Sequence, residues 1–124
     1  MNMKKLTWIV VALLLVGFVV WLVRTPGRPG KLDGFATCIK DSGAIFYGAF
    51  WCPHCQNQKT LFGPSARLLP YIECSTPDGK SQIPICTDAG VQGYPTWKFP
   101  NGTVETGELS LGRLSELTSC PLPE

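Results

Sequence analysis

The first pattern along the chain is a block rather than a periodicity. Leu6 to Val23 is 18 residues without a charge, flanked by Lys4 and Lys5 before it and Arg24, Arg28 and Lys31 after it. As a helix rising 1.5 Å per residue it is roughly 27 Å long, close to the hydrocarbon thickness of a bilayer. Beyond it the pattern becomes amphipathic. Leu32, Phe35, Ala36 and Ile39 recur at i, i+3, i+4 and i+7, which predicts a short helix over 32–41. Gly43 ends that helix, and the continuous apolar run Ala44–Phe50 reads as a buried strand. Pro53 suits the first turn of a helix running through Leu61, and Gly63-Pro64 breaks it before Ser65–Leu69. Leu69–Cys74 predicts a second strand, and Pro77-Asp78-Gly79 a turn. A short helix follows around Gln82–Ala89, with Pro84 in its first turn. Thr96–Phe99 and Thr103–Gly107 flank Asn101-Gly102, a hairpin signal that also accounts for the glycosylation-like Asn101-Gly102-Thr103. Ser110 can cap a last helix carrying Leu111, Leu114 and Leu117. The order α-β-α-β-α-β-β-α predicts a small α/β fold: a mixed sheet of about four strands with helices on both faces.

Charge and cysteine content then place this fold. From Leu32 to Glu124 there are 6 Lys or Arg and 9 Asp or Glu, so the basic excess belongs to the flanks of the apolar block. That excludes a basic nucleic-acid-binding domain, and 93 residues suit one small domain. All six cysteines lie in this part, which points to an oxidising compartment. The apolar block lacks the A-x-A pattern of a cleaved signal peptide, and Trp8 and Trp21 sit near its ends as interfacial aromatics do. The expected organisation is a cytoplasmic tip (1–5), a transmembrane anchor (6–23), a Pro/Gly linker (24–31) and one domain (32–124). Positive flanks nearly balance, so cysteine content sets the orientation: the C-terminal domain should be extracytoplasmic, in the periplasm or outside.

Cys52-Pro53-His54-Cys55 joins the first predicted strand to the helix after it. Unpaired backbone N–H groups at a helix N-terminus favour an anion, so Cys52 should be a stabilised thiolate nucleophile. Cys55, one turn inward, can attack a mixed disulfide formed at Cys52. The rival reading is a zinc site completed by Cys74 and Cys86. These lie twelve positions apart, unlike the closely spaced second pair of zinc ribbons, so dithiol redox chemistry with no metal is preferred.

The run YGAFWCPHCQNQKTLFG (Tyr47–Gly63), followed by PYIEC (Pro70–Cys74) and GYPTW (Gly93–Trp97), resembles the thioredoxin-like domain attached to bacterial homologues of vitamin K epoxide reductase. The likeness covers roughly residues 32–118. It implies a thioredoxin fold, Cys52 as nucleophile, Cys55 as resolving thiol, and Pro95 as a cis-proline facing the motif. It further implies that Tyr94 offers its backbone to an extended client, with Trp51 beside the site. The domain of that family passes disulfides between client proteins and a quinone-reducing membrane partner. Two departures stand out. The multi-helix reductase is replaced by one anchor, so the electron acceptor is expected to be a separate protein. Phe46 occupies the position, six before Cys52, where thioredoxins carry an acidic residue. His54, the chain's one histidine, is expected to donate to the Cys52 thiolate.

With Cys52 and Cys55 forming the redox pair, four cysteines allow three connectivities. Cys74–Cys86 would close one turn-rich loop and leave Cys38–Cys120, whose helix ends lie away from the active site in a thioredoxin-like topology. Cys74–Cys86 could instead be a second redox relay. Three functions remain: an oxidase or isomerase for exported proteins that needs no cofactor beyond its own disulfide, a reductase fed by a membrane electron transporter, or a disulfide-stapled binding module without activity.

Overall fold

The computed structural model describes residues 1–25 and 27–124; position 26, inside the expected linker, lies outside the described residues. Helix α1 spans Met3–Arg24 with every residue exposed and a mean hydropathy of 2.8 over its most apolar window. It is long and apolar enough to serve as a membrane span or a signal sequence.

The rest of the chain runs α2 (Asp33–Asp41), β1 (Ile45–Gly48), α3 (Pro53–Phe62), a 3-10 segment (Gly63–Leu68), β2 (Tyr71–Glu73), α4 (Pro84–Asp88), β3 (Thr96–Lys98), β4 (Val104–Thr106) and α5 (Leu111–Thr118). The strands form one sheet in the order β2-β1-β3-β4. β1 pairs with β2 in parallel, and the other two pairings are antiparallel. This is the mixed four-stranded α/β sheet expected from the sequence, with a thioredoxin-like arrangement of helices.

Alternation along β1 divides the interior in two. Phe46 points into a large core with Phe35 and Ile39 of α2, Phe62 of α3, Trp97 and Leu114 of α5. Its ring stacks on Trp97 at 4.6 Å and meets Tyr71 edge-on at 5.1 Å. Tyr47, on the other face, joins a small core with Cys74, Cys86 and Val91 beneath α4. Elements are shorter than expected where a local group intervenes. Pro70 cannot donate to a ladder, so β2 begins at Tyr71. Gln82 bridges to Ser75 instead of entering α4, which begins at Pro84. Two disulfides tie the frame: Cys38–Cys120 joins α2 to the chain just after α5, and Cys74–Cys86 closes the loop between β2 and α4.

Candidate active site

β1, an inner strand, delivers the chain to its C-terminal end, and Ala49–Trp51 turn it into α3. Cys52 is the N-cap of that helix: its backbone is extended, and its Sγ accepts the Cys55 N–H at 3.4 Å. Pro53 follows at the first helical position, where its missing N–H costs no hydrogen bond. Cys52 is 5% exposed and Cys55 fully buried, and both are free thiols. Burial, and next the hydrogen bond with Cys52, push the Cys55 thiol up to about 12.

The wall opposite the cysteines is the segment before β3. The Tyr94–Pro95 peptide is cis, and the Tyr94 carbonyl accepts from the Cys52 thiol at 3.7 Å. Burial raises the Tyr94 phenol above its usual range. Trp51 is half exposed, lies edge-on to Tyr94 at 5.9 Å and donates its indole N–H to Ser75 Oγ at 2.9 Å. Tyr94 Oη in turn donates to Gln82 Oε1 at 3.0 Å. Ser75 and Gln82 belong to the loop closed by Cys74–Cys86, so this loop holds both aromatic walls.

His54 takes a different partner from the one expected. Its Nδ1 lies 2.7 Å from Glu108 Oε1, which also accepts from Asn57 Nδ2 at 3.2 Å. A carboxylate is a far stronger acceptor than a thiol sulfur, so it captures the imidazole. The two contacts hold the Glu108 carboxyl below its usual range, His54 contributing more. The N–H that reaches Cys52 Sγ is the Cys55 amide.

Phe46, six positions before Cys52, is fully buried among aromatic rings. Gln58 on α3 is also fully buried and bridges elements: its Oε1 accepts from Leu109 N at 2.7 Å and Trp97 Nε1 at 3.4 Å, and its Nε2 donates to the Leu109 carbonyl. Sequence reasoning gave no site role to Ser75, Gln82, Glu108, Gln58, Tyr71 or Glu73. The partners of Trp51, His54 and Tyr94 come from remote loops, and no spacing rule reaches them. One signal was present: glycine in a buried strand, Gly48, marks a close approach by other groups. Among the described residues, no group of three or more His, Cys, Asp or Glu gathers as a metal site.

No family model matches the chain. It is similar to the thiol-disulfide oxidoreductase LTO1 of Arabidopsis thaliana, with 44% identity over 91 residues, covering 69% of this chain and 24% of the relative. It is also similar to protein disulfide isomerase-like 5-1 of Oryza sativa subsp. japonica, with 29% identity over 98 residues, covering 73% of this chain and 67% of the relative. The chain thus spans about a quarter of the first relative's length. Sheet order, helix placement and these two likenesses agree: the chain has a thioredoxin-like α/β fold and is similar to thiol–disulfide oxidoreductases.

Proposed function

We propose that the chain is a membrane-anchored thiol–disulfide oxidoreductase that exchanges disulfides with exported proteins through Cys52 and Cys55. The observation that carries this reading is the asymmetry of the pair. Cys52 caps a helix and accepts a backbone N–H, whereas Cys55 is buried one turn behind it. The N–H groups of the helix terminus can receive negative charge that develops on Cys52 Sγ during exchange, which suits it as nucleophile and as leaving group. In the oxidised protein a client thiolate attacks Cys52 Sγ, and Cys55 leaves with the bonding pair. A second client thiol then attacks the client sulfur, which releases a client disulfide and a reduced pair. Re-oxidation reverses the order: Cys52 attacks a disulfide of the recycling partner, and Cys55 resolves the mixed disulfide. Pro53 starts the helix, while Tyr94, Pro95 and Trp51 form the wall along which an extended client lies. His54 is held by Glu108 in the first turn of α3 rather than by Cys52.

The recycling partner in this reading is a separate quinone-linked membrane protein of the vitamin K epoxide reductase type. Helix α1 anchors the domain on the extracytoplasmic side, and no cofactor is needed beyond the Cys52–Cys55 disulfide. The resemblance of the Tyr47–Gly63 run supports the partner, and the similarity to the Arabidopsis oxidoreductase supports the redox chemistry alone. The test is Cys55→Ser in cells. Client and partner should accumulate as mixed disulfides on Cys52, resolved by diagonal electrophoresis; a variant without adducts would overturn the enzymatic reading. The potential of the full chain then fixes direction: about −120 to −180 mV marks an oxidant or isomerase, about −270 mV a reductant.

A further inference from the structure

Cys55 must lose a proton to resolve a mixed disulfide and regain it on leaving, yet the large core holds Phe46 where a buried carboxyl would stand. Beside Phe46, on the same face of the sheet, a polar group does stand close to Cys55. Gly48, the last residue of β1, has no side chain. A Cβ there would lie 3.0 Å from Cys55 Sγ, 2.7 Å from Tyr71 Cε2 and 3.4 Å from Tyr71 Oη. Thiol and phenol therefore both pack against that glycine; no direct hydrogen bond joins them, and one bridging water would carry a proton between them. Tyr71 Oη donates to Glu73 Oε2 at 2.7 Å, both side chains standing on one face of β2. Glu73 Oε1 accepts the N–H groups of Phe50 at 3.2 Å and Ser75 at 2.9 Å, which fixes the carboxylate. Tyr71 and Glu73 are each half-buried, so the line from thiol to phenol to carboxylate runs from the interior to solvent.

We propose that Tyr71 and Glu73 are the proton relay of Cys55; this rests on the oxidoreductase reading above. In the resolving step a client or partner sulfur is bonded to Cys52 Sγ. The Cys55 S–H proton passes through one bridging water to the Tyr71 oxygen as the Tyr71 proton passes to Glu73 Oε2. The Cys55 electron pair bonds Cys52 Sγ, and the departing sulfur takes the pair of the broken S–S bond. Glu73 then yields its proton to water. When Cys55 is the leaving group, the relay runs backward and protonates it.

The charges around the relay are consistent with this direction. Lys59 of α3 places its ammonium 3.5 Å from the Tyr71 ring centroid, and its charge lowers the Cys55 thiol slightly against burial. Burial, then the hydrogen bond to Glu73, raise Tyr71 above its usual range and keep it a hydroxyl that can donate. Cys52 and Tyr94 complete the titratable neighbours. Arg67 of the 3-10 segment lines the cleft beside Tyr71, but its guanidinium is bonded to Asp33.

Tyr71→Phe keeps the ring on Phe46 and under Lys59 and removes only the hydroxyl. The reduced full chain in detergent is mixed with excess glutathione disulfide, quenched with acid at intervals and weighed by mass spectrometry. Resolution of the Cys52–glutathione adduct should slow about 100-fold or more near pH 7. Its rate should then rise about tenfold per pH unit as hydroxide replaces the relay, while the wild type changes little from about pH 6.5 to 8. Glu73→Gln keeps an oxygen for the Phe50 and Ser75 amides and should give the same steep profile. A Tyr71→Phe rate equal to wild type, or equally slow at every pH, would overturn the relay. Cys55→Ser checks the underlying reading separately, since it should hold the adduct indefinitely; no adduct at all would sink the redox chemistry itself.

Discussion

The two faces of the sheet are built on different principles. The Phe46 face buries a stacked set of aromatic and branched side chains from three helices, with Trp97, Ile39 and Leu114 all fully buried. Behind Tyr47 the core is small: Val91, a disulfide, and a few half-buried neighbours under the five-residue α4. A face with so little apolar area to bury is held by a covalent link instead. Both faces meet at the cysteine pair, and they give it different things. The large core buries Cys55, while the stapled loop orients the surrounding walls through Ser75 to Trp51 and Gln82 to Tyr94. Burial sets the chemistry of the resolving thiol; the loop sets what can approach the nucleophile.

The comparison breaks hardest in the large core. Trp97→Ala removes a ring stacked on Phe46 and bonded to Gln58, and should cost about 3–5 kcal/mol. Val91→Ala on the other face removes two methyl groups and should cost roughly 1.5–2 kcal/mol. Urea unfolding of the oxidised full chain measures both, and similar costs would erase the distinction between faces.

The staple comes next. Replacing Cys74 and Cys86 together by alanine reopens a link between residues 12 apart and should cost about 3 kcal/mol by chain entropy. The loss should also be local. The amides of Ile83 and Val91, bonded to the Cys74 and Cys86 carbonyls, should exchange with deuterium faster. Amides in the β1–β3 ladder should change only as far as global stability does. Uniform acceleration across the sheet would mean the staple supports the whole fold rather than one face.

This division also separates what was legible in the sequence from what was not. Periodicity at Leu32, Phe35, Ala36 and Ile39, Pro53 at a helix start and Asn101-Gly102 at a turn are local signals, and each element they predict is present. The strand-to-helix position of Cys52 follows from the same signals. The polar contacts around the site are not local: Glu108 reaches His54 across 54 positions and Ser75 reaches Trp51 across 24. Such pairs depend on how loops close in space. A histidine beside a cysteine in sequence therefore says little about which acceptor the ring will choose.

The smallest effect belongs to the large-core side, at its rim. Asp33, in the first turn of α2, accepts bidentate bonds from Arg67 at 2.8 Å and one from Ser65 Oγ at 2.8 Å, tying α2 to the 3-10 segment. The Arg67 hydrogen bonds, then that of Ser65, hold its carboxyl well below the usual carboxylate range. A carboxyl depressed in the folded state stabilises the fold above its unfolded value, near 4, and that contribution is lost as pH falls below it. The pair is open to water and screened, so the core behind it should carry the fold without it. Melting temperature against pH should fall more steeply below about pH 4 in the wild type than in Asp33→Asn, with a constant gap between them above about pH 5. Parallel acid limbs would show that Asp33 has no linkage to folding, and that the rim of the large core is held by packing alone.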